Sequence, residues 1–150
     1  MKIRKRIDRI LGQFLAALMA IMAVNVLWQV FTRYVMNSPS SFTDELARFL
    51  LIWVGVLGAA YVAGKNSHIA IDIIPSRMTP SRQRKLARVI HVIVLLFVLV
   101  SFVIGGSRLV LITWEQTSPA LQLSLGIVYL VIPISGLLIL YYKLTDLIRS

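Results

Sequence analysis

Apolar residues fill four stretches of the chain almost without interruption, at about residues 10–30, 47–64, 89–107 and 123–142, and the polar residues collect between them. Each stretch is close to the roughly 20 residues that cross about 30 Å of hydrocarbon at about 1.5 Å per residue. Backbone groups cannot go unpaired in lipid, so the pattern predicts four transmembrane helices and an all-α integral membrane fold. The connections are too short for a separate domain, and one four-helix membrane domain, residues 1–150, accounts for the chain.

Local signals sharpen the elements. Ser41 stands three residues before Asp44, the spacing of a capping box, and predicts a helix start near Phe42. Thr79 and Pro80 form an N-cap and N1 pair, so the third helix is expected to begin before the bilayer and to run over residues 80–113. Asn37, Ser38 and Pro39, and later Trp114, Glu115 and Pro119, mark turns. Gly105 and Gly106 are expected to loosen the far end of the third span. Pro133, which removes one backbone hydrogen bond, is expected to kink the fourth. Between the second and third spans Ile69, Ile71 and Ile73 alternate as in an extended interfacial segment, which makes His68 and Asp72 surface residues rather than a titrating pair.

Charge then fixes an orientation. The formal net charge is +10, which by itself would admit nucleic acid as a partner, but the basic residues alternate by loop. Thirteen fall before the first span, between the second and third, or after the fourth, whereas only Arg33, Arg48 and Arg108 fall on the other side. The positive-inside rule places both termini in the cytoplasm, and membrane lipid headgroups, not nucleic acid, account for the bias. Trp28, Tyr34 and Trp114 fall at the expected outer interface, and Tyr61, Tyr141 and Tyr142 at the inner one. The first apolar stretch is longer than a signal-peptide core of about 7–15 residues and lacks an A-x-A site after it, so it reads as a retained anchor.

Several polar positions inside or beside the spans are candidates for function. Asn25 and Gln29 stand one helical turn apart with Arg33 a turn further on, so this edge of the first helix must face protein. An interhelical hydrogen bond worth about 1 kcal/mol is the preferred reading over ligand contact. In the second span Arg48 is four residues from Asp44 and three from Glu45, so its guanidinium reaches either carboxylate in a polar collar. An ion or proton site at Asp44 and Glu45 is the sharper alternative, but nearness to water and to a basic neighbour favours a structural pair. Trp53 lies about three turns into the helix, where it needs a neighbour to pack on or an acceptor for its indole N–H. Gly55 with Ala59, and Ala60 with Gly64, are small residues four apart, and with Gly58 they form a face that another helix can approach closely.

The chemistry that is missing narrows the class. There is no cysteine, and the six acids and two histidines place no carboxylate at the centre of a span. A proton-coupled carrier needs an intramembrane carboxylate and a metalloenzyme needs clustered ligands, so the chain is expected to be no enzyme and to hold no cofactor or metal. No ring of charge or selectivity filter is evident either.

Residues 25–72 carry a further signal. Arg33-Tyr34, Asn37, Pro39, Asp44-Glu45-Leu46-Ala47-Arg48, Trp53, Gly58-Ala59-Ala60 and His68-Ile69 follow one another in an order that resembles the DctQ-like small membrane subunit of tripartite ATP-independent periplasmic (TRAP) transporters. The last span, around Tyr129 and Pro133, is more loosely similar. The resemblance implies a bacterial inner-membrane, multi-pass subunit of a secondary transporter for organic anions. Its expected partners are a large permease subunit, which carries the sodium coupling, and a periplasmic substrate-binding protein. It also implies a scaffold role, the large subunit moving as an elevator against a fixed frame that the small subunit enlarges. An autonomous small oligomeric carrier or channel is the alternative.

Overall fold

The computed structural model describes residues 2–38, 40–65 and 80–149. The first helix, α1 (Lys2–Tyr34), runs from the side that holds the termini to the opposite side, here called the loop side. Asn37 takes a left-handed φ of 49°, which a short polar side chain tolerates, and the Ser38 N–H reaches back to the Thr32 carbonyl at 3.2 Å. The chain thereby reverses, and α2 (Ser41–Lys65) returns to the terminal side. The third span consists of α3 (Pro80–Val98), a seven-residue π-helical segment (Leu99–Gly105) and α4 (Gly106–Thr113). A hairpin leads to α5 (Leu125–Tyr129) and α6 (Val131–Arg149), which make up the fourth.

Among the described residues four stretches, Arg4–Tyr34, Ser41–Lys65, Val89–Thr113 and Leu125–Asp146, are long and apolar enough to cross a membrane. The protein is thus an all-α multi-pass membrane protein, as the hydropathy pattern predicts. Its helices outrun the apolar stretches because the backbone ladder continues wherever no breaker stops it, and the third helix does start at Pro80. The expected extended segment with His68 and Asp72, and the turn residue Pro39, lie outside the described residues.

Within the bundle α2 lies between α1 and α6, and α6 packs in turn on the third span. Leu11, Leu15, Leu57 and Val131 form one buried cluster, and Ala60, Val98 and Ile139 a second. Most remaining apolar side chains point outward, which is what a bilayer solvent permits.

Four local expectations are revised. The cap of α2 is Ser40 rather than Ser41: its Oγ accepts from the Thr43 N–H at 3.4 Å, and its carbonyl accepts from the Asp44 N–H at 3.3 Å. Asp44 is free of capping because other partners claim its carboxylate. Gly105 and Gly106 do not loosen the third span, since both keep right-handed helical backbone, and the absent Cβ of Gly106 serves close packing instead. A Cβ there would stand 2.8 Å from Ile132 Cγ2 and 3.1 Å from Pro133 Cδ. At Pro133 the disturbance of the fourth span is local. Its ring has no N–H and would crowd the carbonyl four residues earlier, that of Tyr129, and the ladder is irregular at Leu130, between α5 and α6. Leu130 nonetheless keeps right-handed helical backbone, and its N–H still reaches the Gly126 carbonyl at 3.0 Å. Tyr142, finally, is fully buried rather than an interfacial anchor.

Candidate functional site

Side chains from α1 and α2 build a polar clasp on the loop side. Asn25, buried on α1, donates from Nδ2 to the Thr43 carbonyl at 2.8 Å, and Gln29, one turn on, donates from Nε2 to Asp44 Oδ1 at 2.8 Å. Asn25 and Gln29 on the polar edge of α1 therefore face protein, whereas Arg33, the third residue of that edge, does not. Arg48 pairs with Asp44 Oδ2 at 2.7 Å, with the side chains 75% and 49% exposed, so the pair is largely solvated. Arg33 is exposed and lines a polar recess with Gln29, Ser40, Ser41 and Asp44.

Glu45 is turned elsewhere. Adjacent helix residues lie about 100° apart, so Glu45 cannot share the direction of Asp44, and it reaches the hairpin between α4 and α5. One carboxylate oxygen accepts two successive backbone N–H groups, of Ala120 at 3.0 Å and Leu121 at 2.6 Å. The hairpin is tightened further by Ser118 N–H to the Leu123 carbonyl, Leu125 N–H to the Gln116 carbonyl, and a left-handed Gln122 with φ 51°. Deeper in the bundle, the Trp53 indole N–H donates to the Val128 carbonyl at 3.0 Å, beside the irregularity at Leu130. That is the polar partner an indole inside an apolar run requires.

A second clasp joins the terminal ends of α1, α2 and α6. Arg4 donates to Asp146 Oδ1 at 2.6 Å and to the Gly64 carbonyl at 2.5 Å, and its guanidinium lies 5.4 Å from the Tyr142 ring centroid. The Tyr142 hydroxyl donates to Asp8 Oδ1 at 2.6 Å. Gly64 makes this possible, because a Cβ there would lie 2.8 Å from Tyr142 Cε2. Sequence reasoning counted Arg4 among the charges that set topology and missed the clasp. Its only linear signal is a pair of acids, Asp8 and Asp146, set among basic residues at opposite ends of the chain.

The small residues of α2 divide into two faces. Ala60 and Gly64 are buried inside the bundle, whereas Gly55 and Ala59 are exposed, and a Cβ added at Gly55 or Gly58 would meet nothing within 4 Å. Within this chain, then, only one half of the proposed small-residue face is packed. Among the described residues there is no group of three or more His, Cys, Asp or Glu placed to hold a metal ion.

Fold and clasps together define a small four-span helical membrane subunit whose ionic groups tie its own helices to one another. Residues 22–150 match the DctQ component family of tripartite ATP-independent periplasmic transporters, and the chain belongs to that family, whose members are transporter membrane subunits and not enzymes. It is 27% identical, over 145 residues, to a TRAP transporter small permease protein of Haemophilus influenzae, covering 96% of this chain and 89% of that one. It is 28% identical over 103 residues to the sialic acid TRAP transporter small permease protein SiaQ of Vibrio cholerae, covering 69% and 60% of the two chains. Against the isethionate TRAP transporter permease protein DctMQ of Oleidesulfovibrio alaskensis the identity is 38% over 109 residues, which are 71% of this chain and 17% of that protein.

Proposed function

We propose that this chain is the fixed small subunit of a TRAP transporter of the bacterial inner membrane, holding a large sodium-coupled permease subunit during the uptake of an organic anion. The observation that carries the reading is the match to DctMQ: a segment similar to most of this chain occupies a minor part of a much longer permease polypeptide, so the two components work side by side. A 57-residue match, at 37% identity, to the sialic acid TRAP transporter permease protein SiaT of Haemophilus influenzae points the same way.

The geometry supports a scaffold role. Asp8, Asp44, Glu45 and Asp146 each bond another helix or the hairpin, so these acids stiffen the bundle rather than line a passage. No cofactor is assigned to the chain, and sodium coupling belongs to the large subunit. In this reading, which the charge bias supports, both termini lie in the cytoplasm and the hairpin in the periplasm, open to a substrate-binding protein. The outward face of α2, with Gly55, Gly58 and Ala59, is assigned to the large subunit, because the missing side chains let a second backbone approach.

Reconstitution into proteoliposomes tests the reading. Uptake driven by a sodium gradient is expected only when this chain, the large subunit and the binding protein are all present. Uptake by this chain alone would overturn the scaffold role in favour of an autonomous carrier.

A further inference from the structure

An apolar groove of about 290 Å³ runs between α1 and α6 on the terminal side of the bundle, with Trp53 of α2 at its floor. One wall carries Ile7, Ile10 and Phe14, spaced three and four residues apart on one edge of α1, and the other carries Ile134 and Leu138. Because the Trp53 indole N–H is spent on the Val128 carbonyl, the floor is apolar as well. From residue 7 to residue 14 the groove is about 10 Å long at about 1.5 Å per residue, which fits within one leaflet of about 15 Å.

Beyond the apolar lining the terminal end is polar, with Asp8 and Asp146 bonded to Tyr142 and Arg4, and Arg6 as an exposed cation beside them. Arg6 lies one helical turn before Ile10 on the same edge of α1, is exposed, and forms no ion pair among the described residues. Tyr141 continues the edge of α6 three residues beyond Leu138 and is half-buried. Helical side chains lean toward the N-terminus, so Arg6 reaches out toward the headgroup layer. Arg4, by contrast, is committed to Asp146 and the Gly64 carbonyl.

We propose that this groove is a phospholipid site: one acyl chain lies between α1 and α6, and the phosphate of an anionic headgroup sits on Arg6 with the Tyr141 hydroxyl beside it. A partner helix is a poorer occupant. An α-helix is about 10–12 Å across with its side chains, whereas the Arg4–Asp146 and Asp8–Tyr142 bonds pin the two walls together at the mouth. A single hydrocarbon chain enters such a slot, and the guanidinium supplies the complementary charge.

Native mass spectrometry of the full chain, with phosphatidylglycerol or phosphatidylcholine of identical chains, tests the site. Wild type is expected to retain one phosphatidylglycerol in preference to phosphatidylcholine. Arg6→Gln is expected to reduce that preference about fivefold, the ratio given by about 1 kcal/mol per basic residue near an anionic surface. Arg9→Gln, the same charge change off the groove edge, is expected to leave it unaltered, and Ile134→Trp, which fills the groove, to abolish retention of both lipids. Equal losses in Arg6→Gln and Arg9→Gln would reduce the effect to diffuse charge and overturn the proposal. So would lipid retention by Ile134→Trp, or efficient cross-linking of Leu138→Cys to the large subunit in native membranes.

Discussion

Asp44 and Glu45 are neighbours with different tasks, and the difference sets how much each side chain matters. Asp44 spends one oxygen on Gln29 of α1 and the other on Arg48 in its own helix. The Arg48 pair is solvated on both sides, so Arg48→Ala is expected to change stability by no more than about 0.5 kcal/mol. Glu45 holds two backbone N–H groups that nothing else in the hairpin takes up among the described residues. Hydrogen bonds to a charged group contribute about 1.5–3 kcal/mol when buried, and this one is partly open to water. Glu45→Ala is therefore expected to cost about 1–2 kcal/mol and to speed amide exchange at residues 118–124 while leaving α2 protected. Hydrogen-exchange mass spectrometry distinguishes the two substitutions. Helical spacing alone made the Asp44–Arg48 pair legible. The bonds to Gln29 and to the hairpin depend on which helices become neighbours, and no local pattern encodes that.

Between elements, glycine decides how closely the third and fourth spans approach. A Cβ at Gly136 of α6 would stand 2.7 Å from Phe102 Cβ and 3.0 Å from Val103 Cγ2, atoms that belong to the π-helical segment or to side chains rooted close to its backbone. Such a clash cannot be relieved by turning a flexible chain end, so Gly136→Ala is expected to destabilise the bundle by about 1–3 kcal/mol. Gly58→Ala, where a Cβ meets nothing within 4 Å, replaces a poor helix former and is expected to stabilise the isolated chain by up to about 1 kcal/mol. Thermal unfolding in one detergent compares them, and equal midpoints would refute the packing account. The four spans were readable from hydropathy because continuous apolar runs of about 20 residues fit a membrane helix, whereas a barrel strand is shorter and alternates. Pro133 announced a disturbance of the last span, but the bond from the Trp53 indole to the Val128 carbonyl beside it depends on how α2 packs and no local pattern encodes it. Nothing in the residues Leu99–Gly105 distinguishes a π-helical turn from an α-helical one before α6 is packed against it.

At the scale of the whole molecule, the two clasps and the unpacked face of α2 have complementary roles. The clasps fix α1, α2 and α6 at their terminal ends and tie α1, α2 and the hairpin at the loop side, so α2 is held at both ends. A helix held in this way presents Leu51, Gly55, Ala59 and Val62 outward as a rigid surface. Close helix approach in a membrane depends on small side chains, because lipid offers no hydrophobic drive for association. Gly55→Leu therefore separates folding from assembly. A Cβ at this exposed position meets nothing within 4 Å in this chain, so the monomer is expected to keep its unfolding temperature and its amide protection. On the large subunit it occupies the space a neighbouring backbone needs, and co-purification through a tag on the large subunit is expected to fall severalfold. Gly64→Leu gives the reverse order of effects, because its Cβ position already lies 2.8 Å from the Tyr142 ring: the chain itself is destabilised, and assembly fails as a consequence. If Gly55→Leu assembled as well as wild type, the large subunit would have to dock on another face, with α1 and the third span as the surfaces to test next.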